Sequence, residues 1–305
     1  MKNLFQPILF LTIIILLAGC GSGSNKKNNS FQFPEADSFP VSEAQKLSQE
    51  AIEDIIQNIS SPVEIAMLLQ ALEVPFLAEH LASTSNAENL STSFIKAVKL
   101  GVYGADLGYL NIYEKTSTAI DNLTTINKLA DELRVGQFFD FETLKSLAVN
   151  RSNLDSLMFM SVHSYNLIDD YLRETNRGHL SALMITGVWI EAQYLACKVV
   201  GDYPHEELKT RIGEQKIILN DLLMLLAPYR ESGQDYSRLY TDFERIKEAY
   251  APVKITYRPG ESETVNQDGR LIFIQNEESV IEMTSEQMKE IIRVTTEVRN
   301  RIISY

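Results

Sequence analysis

The sequence predicts a mainly α-helical protein: a multi-helix bundle or an array of helical hairpins, with a small antiparallel β meander before the C-terminal helix. Apolar residues recur every three or four positions over about two hundred residues, which is the period of amphipathic helices. Helix-start signals such as Ser61-Pro62-Val63-Glu64 open these stretches. At Pro252 the apolar period changes to two, which is typical of strands, and at Thr284 the helical period returns.

The first predicted helices begin after residue 41. Ser42-Glu43-Ala44-Gln45 has the form of a capping box, and Pro75 ends the helix that starts at Ser61. Two further helices are predicted from about Ser93 to Glu114 and from about Thr116 to Leu133. Asp140 is the predicted cap of a shorter helix.

The most apolar predicted helix runs from Leu180 to Val200 and is hydrophobic on nearly every side. Such a segment is either a membrane span or a central core helix. Charged residues in the middle of a span are costly in lipid, and Glu191 and Lys198 interrupt this one. The sequence therefore favours the buried centre of the domain. A long helix precedes it, opening at Ser152-Asn153-Leu154-Asp155.

Two more helices, near Pro204–Leu226 and through Leu239–Tyr250, precede the β region, which is predicted over about residues 253–283. Turn signals occur within that region at Pro259-Gly260 and Asp268-Gly269. Its alternating segments are Val253–Tyr257, Arg270–Gln275 and a candidate third strand, Ser279–Met283. The last helix starts at Thr284-Ser285-Glu286-Gln287, and its predicted apolar stripe consists of Met288, Ile291, Thr295, Val298 and Ile302.

The N-terminal residues have the anatomy of an export signal. Lys2 precedes an apolar run, Leu4–Leu17, that is short for a membrane span. The run ends in Leu17-Ala18-Gly19-Cys20, which resembles the lipobox of bacterial lipoproteins. The resemblance implies that residues 1–19 are a lipoprotein signal peptide, cleaved before Cys20, and that the thiol and the new amino terminus carry acyl chains such as palmitate. The alternative is an uncleaved N-terminal anchor.

Residues 20–41 are rich in Gly, Ser and Asn and predict a flexible, lipidated tether, which leaves 42–305 as the helical domain. The aspartate that retains some lipoproteins in the inner membrane is absent, since Gly21 follows Cys20. The lipoprotein resemblance therefore implies the cell envelope and favours the outer membrane, on either its periplasmic or its surface side.

The net charge of −13 argues against nucleic acid as a partner, because an acidic surface repels phosphate. The membrane partner is expected to be reached through the lipid alone, since Lys26-Lys27 is only a pair of basic residues. Cys197 has no intramolecular partner once Cys20 is acylated, so no disulfide is expected.

Three glycines lie inside the predicted helix from Ser93, at Gly101, Gly104 and Gly108. Each costs a helix about 1 kcal/mol relative to alanine, so we expect close packing against a neighbouring helix to offset it. The segment is also weakly similar to a second one: Gly101-Val102-Tyr103 matches Gly187-Val188-Trp189. This similarity permits an ancient duplication of a helical hairpin.

Asp106, Tyr109 and Tyr113 fall on one face of the same helix, because they are three or four residues apart. An acid between two phenols is a candidate ligand-binding strip. The alternative is tight packing, with Asp106 hydrogen-bonded to a neighbouring helix. This glycine-tyrosine helix also resembles those of uncharacterised helical envelope lipoproteins of Gram-negative bacteria, a likeness that implies no activity.

A second candidate set comprises polar or aromatic residues in the most apolar helices: His163, Trp189 and Glu191. If their helices pair, His163 and Glu191 approach each other. No zinc-protease motif, Glu-x-x-His repeat or Gly-x-Ser-x-Gly elbow is present in the sequence. We therefore predict no catalytic residue, no metal ligand and no cofactor.

These observations favour a lipid-anchored cell-envelope protein that binds a small ligand or an envelope protein without catalysis. Two alternatives remain open at this point. One is a hydrolase or metal-dependent enzyme with Asp106, His163 and Glu191 in a core site. The other is a structural subunit of an envelope assembly.

Overall fold

The computed structural model describes residues 68–85, 87, 90–149, 154–267 and 270–304. The expectations for the signal peptide, the lipobox, the tether and the helix starts at Ser42 and Ser61 lie outside these residues. Within them the chain is mainly helical, with a two-stranded antiparallel sheet before the last helix. The predicted fold class is therefore confirmed.

The helices have nearly the bounds that the sequence predicts. In chain order they are α1 (Ser93–Ile112), α2 (Thr116–Glu132), α3 (Phe141–Val149), α4 (Leu154–Glu174), α5 (Gly178–Asp202), α6 (Glu206–Leu226), α7 (Gln234–Tyr250) and α8 (Ser285–Ile303). Single 3₁₀ turns occur at Ala78–His80, Gly136–Phe138 and Ala227–Tyr229. Asp140 caps α3 as predicted, because its Oδ1 accepts a hydrogen bond from the Thr143 amide at 3.0 Å.

Several helices end on a residue other than glycine in the left-handed region. Glu114, Arg134 and Asn176 follow α1, α2 and α4 with φ of 55°, 58° and 58°. In each case the amide of the next residue donates back across the turn; for α1, Lys115 N bonds to Leu110 O at 2.9 Å. These bonds satisfy carbonyls that the helix end would otherwise leave unpaired.

Helix α5 is the centre of the body. It packs along α1 and also contacts α4, α6 and α8. Among the described residues it is the one helix long and apolar enough to cross a membrane, and 94% of its apolar window is buried inside the protein. It is the core helix of this body, as the charges within it predicted.

The β region differs from the predicted meander. It is a hairpin of β1 (Lys254–Gln267) and β2 (Arg270–Glu282), paired from Lys254 with Glu282 to Gln267 with Arg270. The third strand predicted at Ser279–Met283 is wrong, because Ser279–Glu282 is the end of β2. The turn predicted at Pro259-Gly260 is wrong too, since both residues lie within β1, where the register shifts between Pro259 and Ser262. An irregularity of this kind accommodates proline, which has no amide hydrogen for the ladder.

The base of the hairpin is attached to α6, and α8 then follows it. A Cβ at Gly213 would lie 2.4 Å from Cγ2 of Ile281, so α6 and β2 touch closely here. Thr284 forms the predicted capping box: its Oγ1 accepts from the Gln287 amide at 3.2 Å, and its own amide donates to Oε1 of Gln287 at 2.8 Å. The predicted stripe of α8 is buried, against α5 and α7.

Candidate functional site

The candidate site lies where α1 crosses α5, and glycines set the distance between the two helices. A Cβ built on Gly101 would lie 2.0 Å from the carbonyl oxygen of Met184. A Cβ built on Gly187 would lie 2.0 Å from the carbonyl oxygen of Val98. The two backbones are therefore in direct contact, as predicted for Gly101. The same prediction is wrong for Gly104, whose Cβ would have no neighbour within 4 Å.

The crossing is reciprocal. Gly101 meets Met184 and Val188, which lie three residues before and one residue after Gly187. Gly187 meets Val98 and Val102, which lie at the same offsets from Gly101. The two segments that are weakly similar in sequence are therefore neighbours in space, related by an approximate local two-fold axis.

One turn beyond this crossing, two carboxyl groups from the two helices meet. Asp106 of α1 and Glu191 of α5 both have 0% exposure, and their carboxyl groups are close enough for each to shift the pKa of the other. Arg299 of α8 forms a bidentate ion pair with Glu191: Nε to Oε2 at 2.9 Å and Nη2 to Oε1 at 2.6 Å. The guanidinium also lies over the ring of Tyr194, 4.2 Å from its centroid. Two buried acids therefore lie beside one buried cation, which pairs with Glu191.

The charges of this cluster follow from its burial. Burial, together with the adjacent carboxylate of Glu191, raises the pKa of Asp106 well above its usual range. Burial raises the pKa of Glu191 as well, while the hydrogen bonds from Arg299 oppose that rise. We assign the proton to Asp106, because its pKa is raised well above the usual range and its Oδ1 accepts no hydrogen bond from the residues that the structure describes. A neutral Asp106 leaves Glu191 and Arg299 as a balanced pair of charges.

The irregular segment 74–83, which we call the strap, lies across this cluster. Side chains of α1 and α8 hold it by its main chain. The bonds are Tyr113 OH to Val74 O at 2.9 Å, Leu77 N to Tyr109 OH at 3.1 Å, Arg299 Nη2 to His80 O at 3.0 Å, Ala82 N to Asp106 Oδ2 at 2.9 Å and Tyr103 OH to Ser83 O at 3.0 Å. Asp106, Tyr109 and Tyr113 thus share one face, as their spacing predicts, and in this structure all three bond to the strap that covers them.

The other predicted residues lie elsewhere. His163 is exposed on α4, whereas Glu191 is in the interior, so the structure does not bring these two into one accessible site. Trp189 is buried; its Nε1 donates to Oε1 of Gln215 at 2.9 Å, and its ring lies 5.7 Å from that of Phe243.

Sequence reasoning missed Arg299 and the strap. A signal for Arg299 was present, because it lies four residues after Thr295 and three before Ile302, on the buried stripe of α8. A charged residue in such a stripe needs a buried partner. The strap has no apolar period, so nothing in its sequence indicates where it packs.

A second buried acid lies between α4 and α5. Asp169 is 3% exposed and accepts from Ser181 Oγ at 2.5 Å and from Arg173 Nε at 2.7 Å. Ser181 also bonds to the hydroxyl of Tyr165 at 2.8 Å. A serine beside an acid resembles a nucleophile with its base, but this serine has 0% exposure and no substrate reaches it.

Comparison with known proteins adds no family. No protein family model, no curated protein and no solved structure matches this chain. Across the part of the chain that the structure describes, no group of three or more His, Cys, Asp or Glu side chains is arranged to hold a metal ion.

The raised pKa of Asp106 predicts that the free energy of unfolding depends on pH. A carboxyl group whose pKa is raised by folding stabilises the fold while it is protonated, and that contribution is lost as pH rises through the raised pKa. We therefore expect the free energy of unfolding of the wild-type protein to fall with rising pH relative to that of Asp106→Asn, whose amide cannot ionise. Urea unfolding at several values between about pH 5 and 9 measures this difference.

The matched control is Asp140→Asn. Asp140 is an exposed cap whose pKa is lowered, chiefly by its hydrogen bonds from Thr143, so it stays ionised throughout that range. The free energy of unfolding of Asp140→Asn should therefore change with pH in the same way as that of the wild type. Parallel curves for Asp106→Asn and the wild type would contradict the protonated assignment.

Proposed function

We propose that this protein is a lipoprotein of the cell envelope, anchored by acyl chains on Cys20, whose helical body binds a ligand or partner without catalysis. The observation that carries the anchoring is Leu17-Ala18-Gly19-Cys20 directly after the apolar run Leu4–Leu17. Two or more acyl chains give stable attachment, because each buried methylene contributes about 0.8 kcal/mol. The Gly21 that follows favours the outer membrane.

The burial of α5 supports a body that lies outside the bilayer. This helix is covered by its neighbours over 94% of its apolar window, so its apolar surface is already used within the protein. The net charge of −13 gives the body no electrostatic attraction to anionic lipid. The N-terminal lipid then supplies the attachment.

The buried acids support a role other than catalysis. A catalytic acid or base must reach the proton that it transfers. Asp106 and Glu191 have 0% exposure; Arg299 donates to both carboxyl oxygens of Glu191, and the Ala82 amide donates to Oδ2 of Asp106. Asp106, Glu191 and Arg299 instead hold α1, α5 and α8 together where these helices meet. The rival enzyme would need His163 beside Glu191, and His163 is exposed on α4.

Expression of Cys20→Ser in a Gram-negative host that is fed labelled palmitate tests the anchoring. We expect label and membrane fractionation for the wild type and loss of both for the variant. Cys197→Ala is the matched control, because this thiol is buried and should carry no lipid. An unlabelled wild-type protein, or a Cys20→Ser variant that stays in the membrane with its label, would refute the proposal.

The binding role has its own test. Native mass spectrometry of protein extracted in a mild detergent should detect a bound molecule or polypeptide at fixed stoichiometry. A turnover activity that is lost in Asp106→Asn, while the fold is retained, would instead establish the enzyme.

A further inference from the structure

We propose that the groove occupied by the strap is a docking site for a polypeptide segment, with the strap as its resident, autoinhibitory occupant. The inference rests on the proposed binding role and specifies the partner: an irregular polypeptide segment that carries an aromatic side chain. The groove runs along α1 from Tyr103 to Tyr113 and is closed on one side by Arg299.

The groove recognises main chain. Each of the five hydrogen bonds that join α1 and α8 to the strap ends on a strap carbonyl or amide. Bonds to main chain provide affinity for a peptide without dictating its sequence, and side-chain contacts then provide the specificity. Another segment in the same conformation would satisfy the same five partners.

The side-chain contacts show that Phe76 anchors the strap in the groove. The ring of Phe76 is stacked on that of Tyr109 at 5.5 Å and lies 5.7 Å from that of Tyr113. The ammonium group of Lys115 lies 4.8 Å from the centre of the Phe76 ring. Two tyrosines and a lysine thus form a seat for one aromatic side chain, and Val74 at 5% exposure adds a small apolar contact beside it.

The strap has the features of a segment that opens locally. A single 3₁₀ turn, Ala78–His80, is its one regular element, and that turn has no buried residue. Pro75, Ala78 and Glu79 are exposed, whereas Val74 and Ala82 are buried and Phe76, Leu77 and Leu81 pack against the core. An irregular segment with an exposed middle opens at a lower free energy than the buried core helices. An occupied groove lowers the apparent affinity of a competing ligand by the fraction of molecules that are closed.

The experiment measures binding of a fluorescent peptide to the full-length chain by anisotropy. The peptide has the sequence of residues 74–83, and the protein is either wild type or Ala82→Pro. The proline removes the amide that donates to Asp106 and so loosens the resident strap. We expect saturable binding that is about ten-fold tighter to Ala82→Pro than to the wild type, from the loss of one hydrogen bond to a carboxyl group.

Two control peptides test how the groove recognises its occupant. Methylation of the Leu77 and Ala82 nitrogen atoms removes both amide donors, and a Phe76→Ala peptide removes the aromatic anchor. Each should bind at least ten-fold more weakly than the parent peptide. Equal binding of the methylated peptide would overturn the proposal, because the contact would then be non-specific apolar adhesion.

A second variant, Tyr113→Phe, is used if Ala82→Pro does not fold. Tyr113→Phe removes the bond to the Val74 carbonyl and the interaction of its hydroxyl with that of Tyr109, and keeps the aromatic seat. Hydrogen exchange of the Leu77 and Ala82 amides shows whether the strap has opened in it. An opened strap with no peptide binding overturns the docking site. If native mass spectrometry still detects a bound partner in that case, the binding role stands and only this site is wrong.

Discussion

Replacing Gly101 with alanine should lower the free energy of unfolding by about 3 kcal/mol or more, at the upper end of the range for overpacked cores. The added methyl group would lie 2.0 Å from Met184 O and 2.8 Å from Val188 N, both atoms of the α5 backbone. A backbone cannot rotate aside as a flexible side chain does, so α1 and α5 must separate along their length. Equilibrium unfolding in urea measures the loss.

Gly104→Ala is the matched control in the same helix. A methyl group there meets no atom within 4 Å, so the variant gains helix propensity without a clash. We expect it to be more stable than the wild type by up to about 1 kcal/mol. If Gly101→Ala also matched or exceeded the wild type, the direct contact of the two backbones would be refuted.

Replacing Arg299 with methionine should lower the free energy of unfolding by about 3–5 kcal/mol at neutral pH. The side chain of Arg299 is 4% exposed and that of Glu191 is 0% exposed, so the variant leaves an ionised carboxylate in the interior without its cation. The strap loses its bond at the His80 carbonyl in the same step. Arg293→Met on the same helix is the control, since Arg293 is 52% exposed and water screens its surface ion pairs, so we expect little loss of stability.

The pH dependence of the stability lost in Arg299→Met distinguishes two causes: loss of the positive charge and loss of side-chain packing. Without the guanidinium, nothing opposes the effect of burial, and the pKa of Glu191 in the folded state rises further. A carboxyl group with a raised folded pKa destabilises the protein increasingly as pH rises, so the deficit should widen with pH and shrink in acid. A deficit that stays constant between about pH 5 and 8 would point to lost packing of the side chain instead.

Local signals in the sequence were enough to locate the helices. The capping boxes, the apolar stripes and the change of period at Pro252 depend on residues close together in the chain, and the structure agrees with each of them where it describes them. The helix ends were harder, because Glu114 and Arg134 occupy the left-handed positions where glycine is the usual signal. The hairpin was predicted with one strand too many, because Arg270–Gln275 and Ser279–Glu282 are both parts of β2, and Pro259 lies within β1 and not in a turn.

The candidate site could be predicted only in part. Helical spacing placed Asp106, Tyr109 and Tyr113 on one face, and the structure brings them together there. Their partners are far away in the chain: Arg299 lies 108 residues from Glu191. No periodicity in either helix encodes such a pairing. His163 and Glu191 were predicted to approach each other, but a shared polar character within apolar helices does not specify which sides of those helices meet.

The bond between Arg299 and the His80 carbonyl joins residues that are 219 positions apart. Contacts of such high sequence separation form late, because the intervening chain must first lose its freedom. The other four strap bonds join residues only 20 to 39 positions apart, so the bond to Arg299 is the one that depends on α8. The core is therefore incomplete until α8 has packed, because a chain without α8 leaves the buried carboxylate of Glu191 without its cation.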